Sequence, residues 1–173
     1  MKMKFTPRDL PFIIVITVLS SVLYFKEDAP LSFNELQVQS CFTPEQKCLP
    51  KITQFIDGAK KEIVVHSYSF TNVPIKEAMD RAAGRGVNII IHIDEGKLKE
   101  RGNQKLKLSS SKFEIIPMKM RGLFHNKTMI IDGETVITGS YNWSHAAEYR
   151  NSENLLFLQS KELAQKYKTR TFS

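Results

Sequence analysis

One set of polar residues in the second half of the chain constrains its fold and chemistry more than any other feature. It begins with His125-Asn126-Lys127, continues with Asp132 and Gly139-Ser140-Tyr141-Asn142-Trp143, and ends at Glu153. Composition alone places a lysine two residues and an aspartate seven residues after a histidine in roughly one such chain in a hundred. The set occurs once, and no internal repeat supplies a second copy. The pattern therefore predicts one chemical site in the second half of the chain.

Length and composition indicate one globular domain. The chain has 173 residues, of which 42% are hydrophobic and 25% charged, which is enough to bury a core without metals or several disulfides. We assign residues 33–173 to this domain and residues 1–28 to a separate amino-terminal segment. The formal net charge of +7 favours a polyanionic partner, either nucleic acid or an anionic lipid headgroup. The alternative is that the lysines form ordinary solvent-exposed faces of helices and bind no such partner.

The amino-terminal segment contains an uncharged apolar run from Leu10 to Phe25, preceded by the basic stretch Met1–Arg8. Its 16 residues fall between the roughly 7 to 15 of a signal peptide and the roughly 20 of a membrane span. We expect an uncleaved membrane anchor, with a cleaved signal peptide as the alternative. A buried core helix is least favoured because the run is not amphipathic. The basic residues before the run place the domain across the membrane from the cytosol.

Two cysteines, Cys41 and Cys48, are the only ones in the chain. The six residues between them include Pro44, and this spacing allows a local disulfide. An exported domain would favour that bond, whereas two unrelated reduced thiols remain the alternative. A metal site is weaker still, because no nearby histidine completes a tetrahedral set of ligands.

Hydrophobic periodicity predicts an α/β fold, with a mixed central β-sheet flanked by helices. The strands are predicted at residues 36–42, 62–70, 87–93, 112–117, 127–131, 135–138 and 153–158. The helices are predicted at residues 50–59, 72–83 and 161–169, with a polar helix or loop at 97–108. Asp132-Gly133 is a strong signal for a hairpin turn between two of the strands.

The segment from Cys41 to Glu162 resembles the phospholipase D superfamily, most of all its small single-motif bacterial endonucleases of the Nuc type. More distantly, it is similar to the mitochondrial cardiolipin hydrolases. Besides the opening set, the resemblance is carried by Tyr68-Ser69-Phe70-Thr71, Ala82-Ala83-Gly84-Arg85-Gly86-Val87 and Asn151-Ser152-Glu153-Asn154. Cys41-Phe42-Thr43-Pro44 with Cys48 resembles exported bacterial members. The resemblance thus implies a protein anchored in the inner membrane and facing the periplasm, or one that is periplasmic or secreted after cleavage.

The resemblance implies phosphodiester hydrolysis through a phosphohistidine. His125 is then the nucleophile, and the matching histidine of a second half-site acts first as acid and later as base. Because this chain has one half-site, the second must come from another chain, and we expect a symmetric homodimer. No cofactor is implied.

Elementary chemistry agrees with this assignment. In a strand, residues two apart face the same side, so His125 and Lys127 are predicted to project together. Ser140 and Asn142, again two apart, can add neutral donors to the same phosphate oxygens. Glu153 can accept a hydrogen bond from the far ring nitrogen of His125, fixing the tautomer of the imidazole.

The role of Asp132 is predicted to be narrower than its place in the motif suggests. Asp132 lies in the turn after the strand, so capping that turn is favoured over direct chemistry, although we keep it among the site residues. No metal is expected either, because the set lacks a carboxylate cluster and the lysine with paired histidines supplies the positive charge.

The substrate is less constrained than the reaction. Lys119 and Arg121, with the nearby Lys105 and Lys107, are candidates for a groove that follows a phosphate backbone, or else they are ordinary solvated loop residues. No motif that reads a base sequence is present, so we expect non-specific cleavage of DNA, with RNA as a secondary candidate. A phospholipase D acting on membrane phospholipids is the alternative. A catalytically silent module that binds nucleic acid or anionic lipid is less favoured, because the site residues are all intact.

Overall fold

A seven-stranded mixed β-sheet forms the centre of the computed structural model, which describes residues 36–103 and 113–169. The strands are β1 (Gln37–Thr43), β2 (Glu62–Ser67), β3 (Asn88–Asp94), β4 (Glu114–Met118), β5 (Lys127–Ile131), β6 (Thr135–Gly139) and β7 (Glu153–Gln159). Their order is β1-β7-β6-β5-β2-β3-β4. The neighbours β2, β3 and β4 are parallel, and the other pairs are antiparallel. The predicted α/β class with a mixed sheet is confirmed.

Five α-helices accompany these strands in the described part of the chain. They are α1 (Leu49–Gly58), α2 (Val73–Gly84), α3 (Glu95–Lys99), α4 (His145–Tyr149) and α5 (Lys161–Thr169), and a 3-10 turn covers Arg101–Asn103. A proline lies in the first turn of α1 and of α2, where its missing N–H costs nothing. The Asn72 side chain caps α2 by accepting from the Ile75 N–H. The five-residue helix α4 was not predicted, because so short an element shows no periodicity.

The helices cover both faces of the sheet, which explains the nearly continuous apolar runs of the central strands. Alternate residues of β2 point to opposite sides. Ile63 belongs to the large core cluster that includes α1 and α2, whereas Val64 belongs to a smaller cluster that includes Ala164 of α5. The sheet is therefore buried on both faces, and the predicted site residues lie at or beyond its strand ends.

A disulfide joins Cys41 of β1 to Cys48, the residue before α1. Both cysteines are buried, and the bond closes a loop with a sequence separation of 7 residues. The structure thus contains the local bond that the spacing suggested, at the edge strand of the sheet.

The predicted anchor at Leu10–Phe25 lies outside the described residues and stays a prediction. Across residues 36–103 and 113–169, no helix has the length and apolar character needed to cross a membrane.

Candidate active site

The site residues gather at one end of the sheet because four strand ends meet there. The carboxyl end of β2 pairs with the amino end of β5 through Ser67 and Lys127, and the carboxyl end of β6 pairs with β7 through Gly139 and Leu155. Since β5 and β6 are antiparallel, the residue after β6, Ser140, lies at the same end as Lys127. The pairing of β6 with β7 likewise brings Ser140 into contact with Glu153, 13 positions later in the sequence.

His125 and Lys127 are in contact, although only Lys127 belongs to the strand. The two side chains lie together as predicted, but His125 is in the loop before β5, so strand alternation is not what brings them together. The Lys127 Nζ atom nevertheless lies 3.2 Å from Nδ1 and 3.2 Å from Nε2 of the His125 ring. It also donates to the His125 carbonyl oxygen at 3.1 Å, which draws the ammonium back over the loop. An imidazole and an ammonium therefore form one compact group.

Backbone hydrogen bonds fix the loop that carries His125. The Phe124 N–H donates to Asp94 Oδ2 at 3.0 Å, and the Tyr68 N–H donates to the Asn126 carbonyl oxygen at 2.9 Å. Phe124 itself is fully buried, whereas the neighbouring His125 is exposed. The histidine is thus presented to solvent by a loop that is anchored on both sides.

Lys127 carries its charge in a largely buried position, with 7% of its surface exposed. Burial lowers the pKa of Lys127 below its usual value because desolvation penalises the ammonium, and the nearby Glu153 carboxylate opposes this shift. A buried cation at this point is costly, and an anionic ligand would relieve the cost.

Glu153, the first residue of β7, accepts hydrogen bonds from two side chains of the segment that connects β6 to β7. The Ser140 hydroxyl donates to Glu153 Oε2 at 2.5 Å, and Asn151 Nδ2 donates to Oε1 at 2.9 Å. The predicted bond from His125 to Glu153 is absent among the described residues, where Ser140 and Asn151 are the side chains that donate to this carboxylate. Ser140 was predicted to donate a hydrogen bond to phosphate oxygens. In the structure its single O–H donates to Glu153 instead.

Gly139 makes this arrangement possible through a close approach of β6 and β7. A Cβ atom at position 139 would lie 2.1 Å from the carbonyl oxygen of Asn154. The same approach lets the Ser140 N–H donate to that oxygen at 3.1 Å, and the Asn154 N–H donate to Ser140 Oγ at 3.0 Å. The glycine before the serine is thus required by packing.

Asn142 lies between two buried aromatic residues, Tyr141 and Trp143. The Tyr141 hydroxyl donates to Glu148, and the Trp143 indole N–H donates to the His66 carbonyl oxygen at 3.3 Å. Burial and the Glu148 carboxylate raise the pKa of Tyr141 far above its usual value, so this hydroxyl keeps its proton. The Asn142 Oδ1 atom is buried and has no hydrogen-bond partner in the described part of the chain. Because Oδ1 can only accept a hydrogen bond, a contact between Asn142 and a phosphate oxygen would have to come from its Nδ2 group.

Asp132 lies at the opposite end of β5, in the turn to β6, where its φ of 55° is left-handed. Its carboxylate accepts backbone N–H groups from Lys60 at 2.9 Å, Lys61 at 2.7 Å and Glu62 at 3.0 Å. Burial acts to raise the pKa of Asp132, but these three hydrogen bonds outweigh burial and lower it. Asp132 thus ties the hairpin to the connection between α1 and β2, away from His125.

The predicted substrate-binding residues Lys119 and Arg121 are exposed on the loop that leads from β4 to His125. Lys105 and Lys107 lie outside the described residues. Among residues 36–103 and 113–169, no group of three histidine, cysteine, aspartate or glutamate side chains is arranged to hold a metal ion.

Sequence reasoning assigned no role to Tyr68, which the structure places against His125. The two ring centroids are 4.6 Å apart with an interplanar angle of 61°. Tyr68 directly follows β2, the strand paired with β5, and this adjacency in the sheet is the signal that could have identified it.

The fold and the site geometry are those of a phosphodiesterase built on a histidine and a lysine. A family described as "Cardiolipin synthase, PLD-like domain" matches residues 52–172, and the chain belongs to the phospholipase D superfamily. A protein named phospholipase D from Rickettsia bellii is 38% identical over 131 residues, which cover 76% of this chain and 65% of that protein.

Two solved structures share the fold. Nuc from Salmonella typhimurium, described as a phospholipase D family member, superposes with a TM-score of 0.72 at 33% identity, covering 77% of this chain and 90% of that one. NucT from Helicobacter pylori gives a TM-score of 0.72 at 25% identity, covering 78% and 92% of the two chains. The single-motif, Nuc-type assignment made from sequence is confirmed.

Proposed function

We propose that this protein is a metal-independent endonuclease that cleaves DNA, with RNA as a further substrate, through a phosphohistidine intermediate in a homodimer. The observation that carries the proposal is the contact between Lys127 Nζ and both ring nitrogens of His125. This contact puts a nucleophile and a cation within reach of a single phosphate group.

The reaction has two steps. In the first, a ring nitrogen of His125 attacks phosphorus, the P–N bond forms, the bond to the leaving oxygen breaks, and that oxygen takes a proton from the second histidine. In the second, water loses a proton to the second histidine and attacks phosphorus, which forms a P–O bond and releases His125. Lys127 and the Nδ2 group of Asn142 donate to the non-bridging oxygens and stabilise their charge in both steps.

A second chain supplies the second histidine in this proposal. Three large apolar side chains at this end of the sheet are exposed. Met120 and Leu123, on the loop before His125, are 37% and 62% exposed. Phe42, which pairs with the residue after Glu153, is 48% exposed. A second copy facing this end of the sheet would cover these side chains and bring two His125 residues together.

A nucleic acid is the preferred substrate because the chain carries a net charge of +7 and two cations, Lys119 and Arg121, precede the site on an exposed loop. The alternative is a phospholipase D acting on membrane phospholipids. It is supported by the relative of that name in Rickettsia bellii and by the apolar run Leu10–Phe25. A silent binding module is less favoured, since the intact site residues lie together.

We also place the protein at the inner membrane, with residues 33–173 in the periplasm, or in the periplasm or medium if the amino-terminal segment is removed. Protease treatment of spheroplasts tests this: a periplasmic domain is degraded without lysis, whereas a cytosolic one survives until the membrane is opened. Intact mass of the purified protein then distinguishes an anchor from a cleaved segment.

The function is tested with the full chain in detergent and EDTA, incubated separately with plasmid DNA, single-stranded RNA, phosphatidylcholine vesicles and cardiolipin vesicles. The proposal predicts cut nucleic acid and intact lipid. Release of choline or phosphatidic acid alone would establish the phospholipase alternative, and restoration of activity only by added Mg²⁺ would contradict a metal-independent reaction. His125→Ala should be inactive, and His145→Ala, which alters another exposed histidine, should behave as wild type.

A further inference from the structure

Tyr68 occupies a position beside the nucleophile that the proposed reaction has not used. Its ring meets the His125 imidazole at a centroid distance of 4.6 Å and an interplanar angle of 61°, an edge-to-face arrangement. Its backbone N–H donates to the Asn126 carbonyl oxygen at 2.9 Å, so the two segments are also joined through the main chain. The ring contact is therefore built into the junction between β2 and the loop before β5.

The tyrosine ring is itself held by two cations. Lys127 Nζ lies 5.4 Å from the ring centroid, and Lys97 Nζ lies 5.1 Å from it. Lys97 is fixed in turn by a salt bridge of 2.7 Å to Glu100. Both ammonium groups are attracted to the ring, so a rotation of Tyr68 would lose two favourable contacts.

His125 needs such a support because its side chain is exposed and its ring can turn about a broad torsion. Lys127 contacts both ring nitrogens equally, so this ammonium does not by itself select which nitrogen faces the substrate. A flat partner at a fixed angle restricts the plane of the imidazole. Nucleophilic attack requires that restriction, because the nitrogen lone pair must point at phosphorus.

We propose that Tyr68 is a positioning residue that holds the imidazole plane of His125 in the orientation needed for attack on phosphorus. The aromatic ring performs this role, and the hydroxyl is not required. The proposal rests on the proposed function, since it presupposes that His125 is the nucleophile.

The test compares kcat and KM of the full chain on bis(p-nitrophenyl) phosphate, a simple diester that has neither bases nor lipid chains. Tyr68→Leu should lower kcat by about a hundredfold while KM changes by no more than about threefold, because misorientation affects the chemical step. Tyr68→Phe should keep kcat within about threefold of wild type. The matched control is Tyr149→Leu, which removes a second tyrosine–histidine contact, 4.5 Å from His145, and should leave both constants unchanged.

The outcomes separate the two proposals. A wild-type protein that does not hydrolyse the diester overturns the proposed function, and the role of Tyr68 with it. An active wild type with unchanged kcat in Tyr68→Leu overturns only the role of Tyr68, as does a rise in KM alone, which would indicate substrate binding. If Tyr68→Leu does not fold, Tyr68→Phe decides: this variant keeps the ring, so a loss of kcat of tenfold or more overturns the proposal that the ring positions His125 without the hydroxyl.

Discussion

Lys127 Nζ lies 3.2 Å from each ring nitrogen of His125, so cation and imidazole share one position at the end of the sheet. A phosphate whose non-bridging oxygen contacts Lys127 has its phosphorus within reach of the histidine. The contact depends on a loop fixed by Asp94 and Tyr68, since His125 itself lies outside the strand.

Removing the Lys127 charge should abolish activity without weakening the fold. Lys127→Met should reduce kcat by about a thousandfold, the upper range for loss of one group that stabilises transition-state charge. The midpoint of thermal unfolding should stay level or rise, because burial lowers the pKa of this lysine and its charge is therefore a cost to folding. Steady-state kinetics and thermal unfolding check both parts. A Lys127→Met protein that retains wild-type kcat contradicts the assigned role.

The lowered pKa of Lys127 also sets a pH dependence. If the ammonium is required, the alkaline limb of the kcat profile should fall below the ordinary lysine pKa of 10.5. Between the folded-state pKa and that value the unfolded chain binds more protons, so stability should increase with pH across this window. Glu153→Gln removes the carboxylate that opposes the shift, and the limb should move to still lower pH. An unmoved limb in Glu153→Gln would show that another group controls it.

Gly139→Ala should disrupt the site by displacing β6 from β7. The new methyl group would lie 2.1 Å from the Asn154 carbonyl oxygen, which forces the backbone to shift. We expect a loss of about 2 kcal/mol in the free energy of unfolding, typical of overpacking. The hydrogen bonds of Ser140 to Glu153 and Asn154 should weaken, and kcat should fall. Gly58→Ala is the matched control, because no atom lies within 4 Å of a Cβ there.

Asp132→Ala should affect stability and leave the chemistry intact. Three backbone N–H groups lose their acceptor, and we expect a destabilisation of about 2 to 3 kcal/mol. The contribution of Asp132 is present above the ordinary carboxyl pKa and is lost as pH falls through its lowered folded-state pKa, so the difference should shrink in acid. Urea unfolding at several pH values measures it. A large loss of kcat in the folded protein would instead assign Asp132 to the reaction.

Much of the fold follows from local patterns in the sequence. Strands β5 and β6 match the predicted segments closely because the Asp132-Gly133 turn fixes both their ends. Helix α5 has the predicted bounds of Lys161–Thr169. The five-residue helix α4 was missed, since one turn of helix has too few residues to show a period.

The identities of the site residues could be predicted from their types and spacing, but most of their contacts could not. His125 and Lys127 are identified by their spacing, but their contact arises from a lysine that folds back over a loop, which strand alternation does not describe. The hydrogen bonds that Glu153 accepts from Ser140 and Asn151 depend on the pairing of β6 with β7, which local sequence patterns do not specify. The contact of Tyr68 with His125 joins distant segments, so it required the order of strands in the sheet.

The central claim is that each chain carries half of an active site and a second copy completes it. The direct measurement is the activity of wild-type protein mixed with His125→Ala protein, after subunit exchange, at constant total concentration. If both histidines are required, a one-to-one mixture should retain about a quarter of the wild-type activity, because only a quarter of randomly formed dimers have two wild-type chains. Retention of half the activity, in proportion to the wild-type chains present, would contradict a shared site.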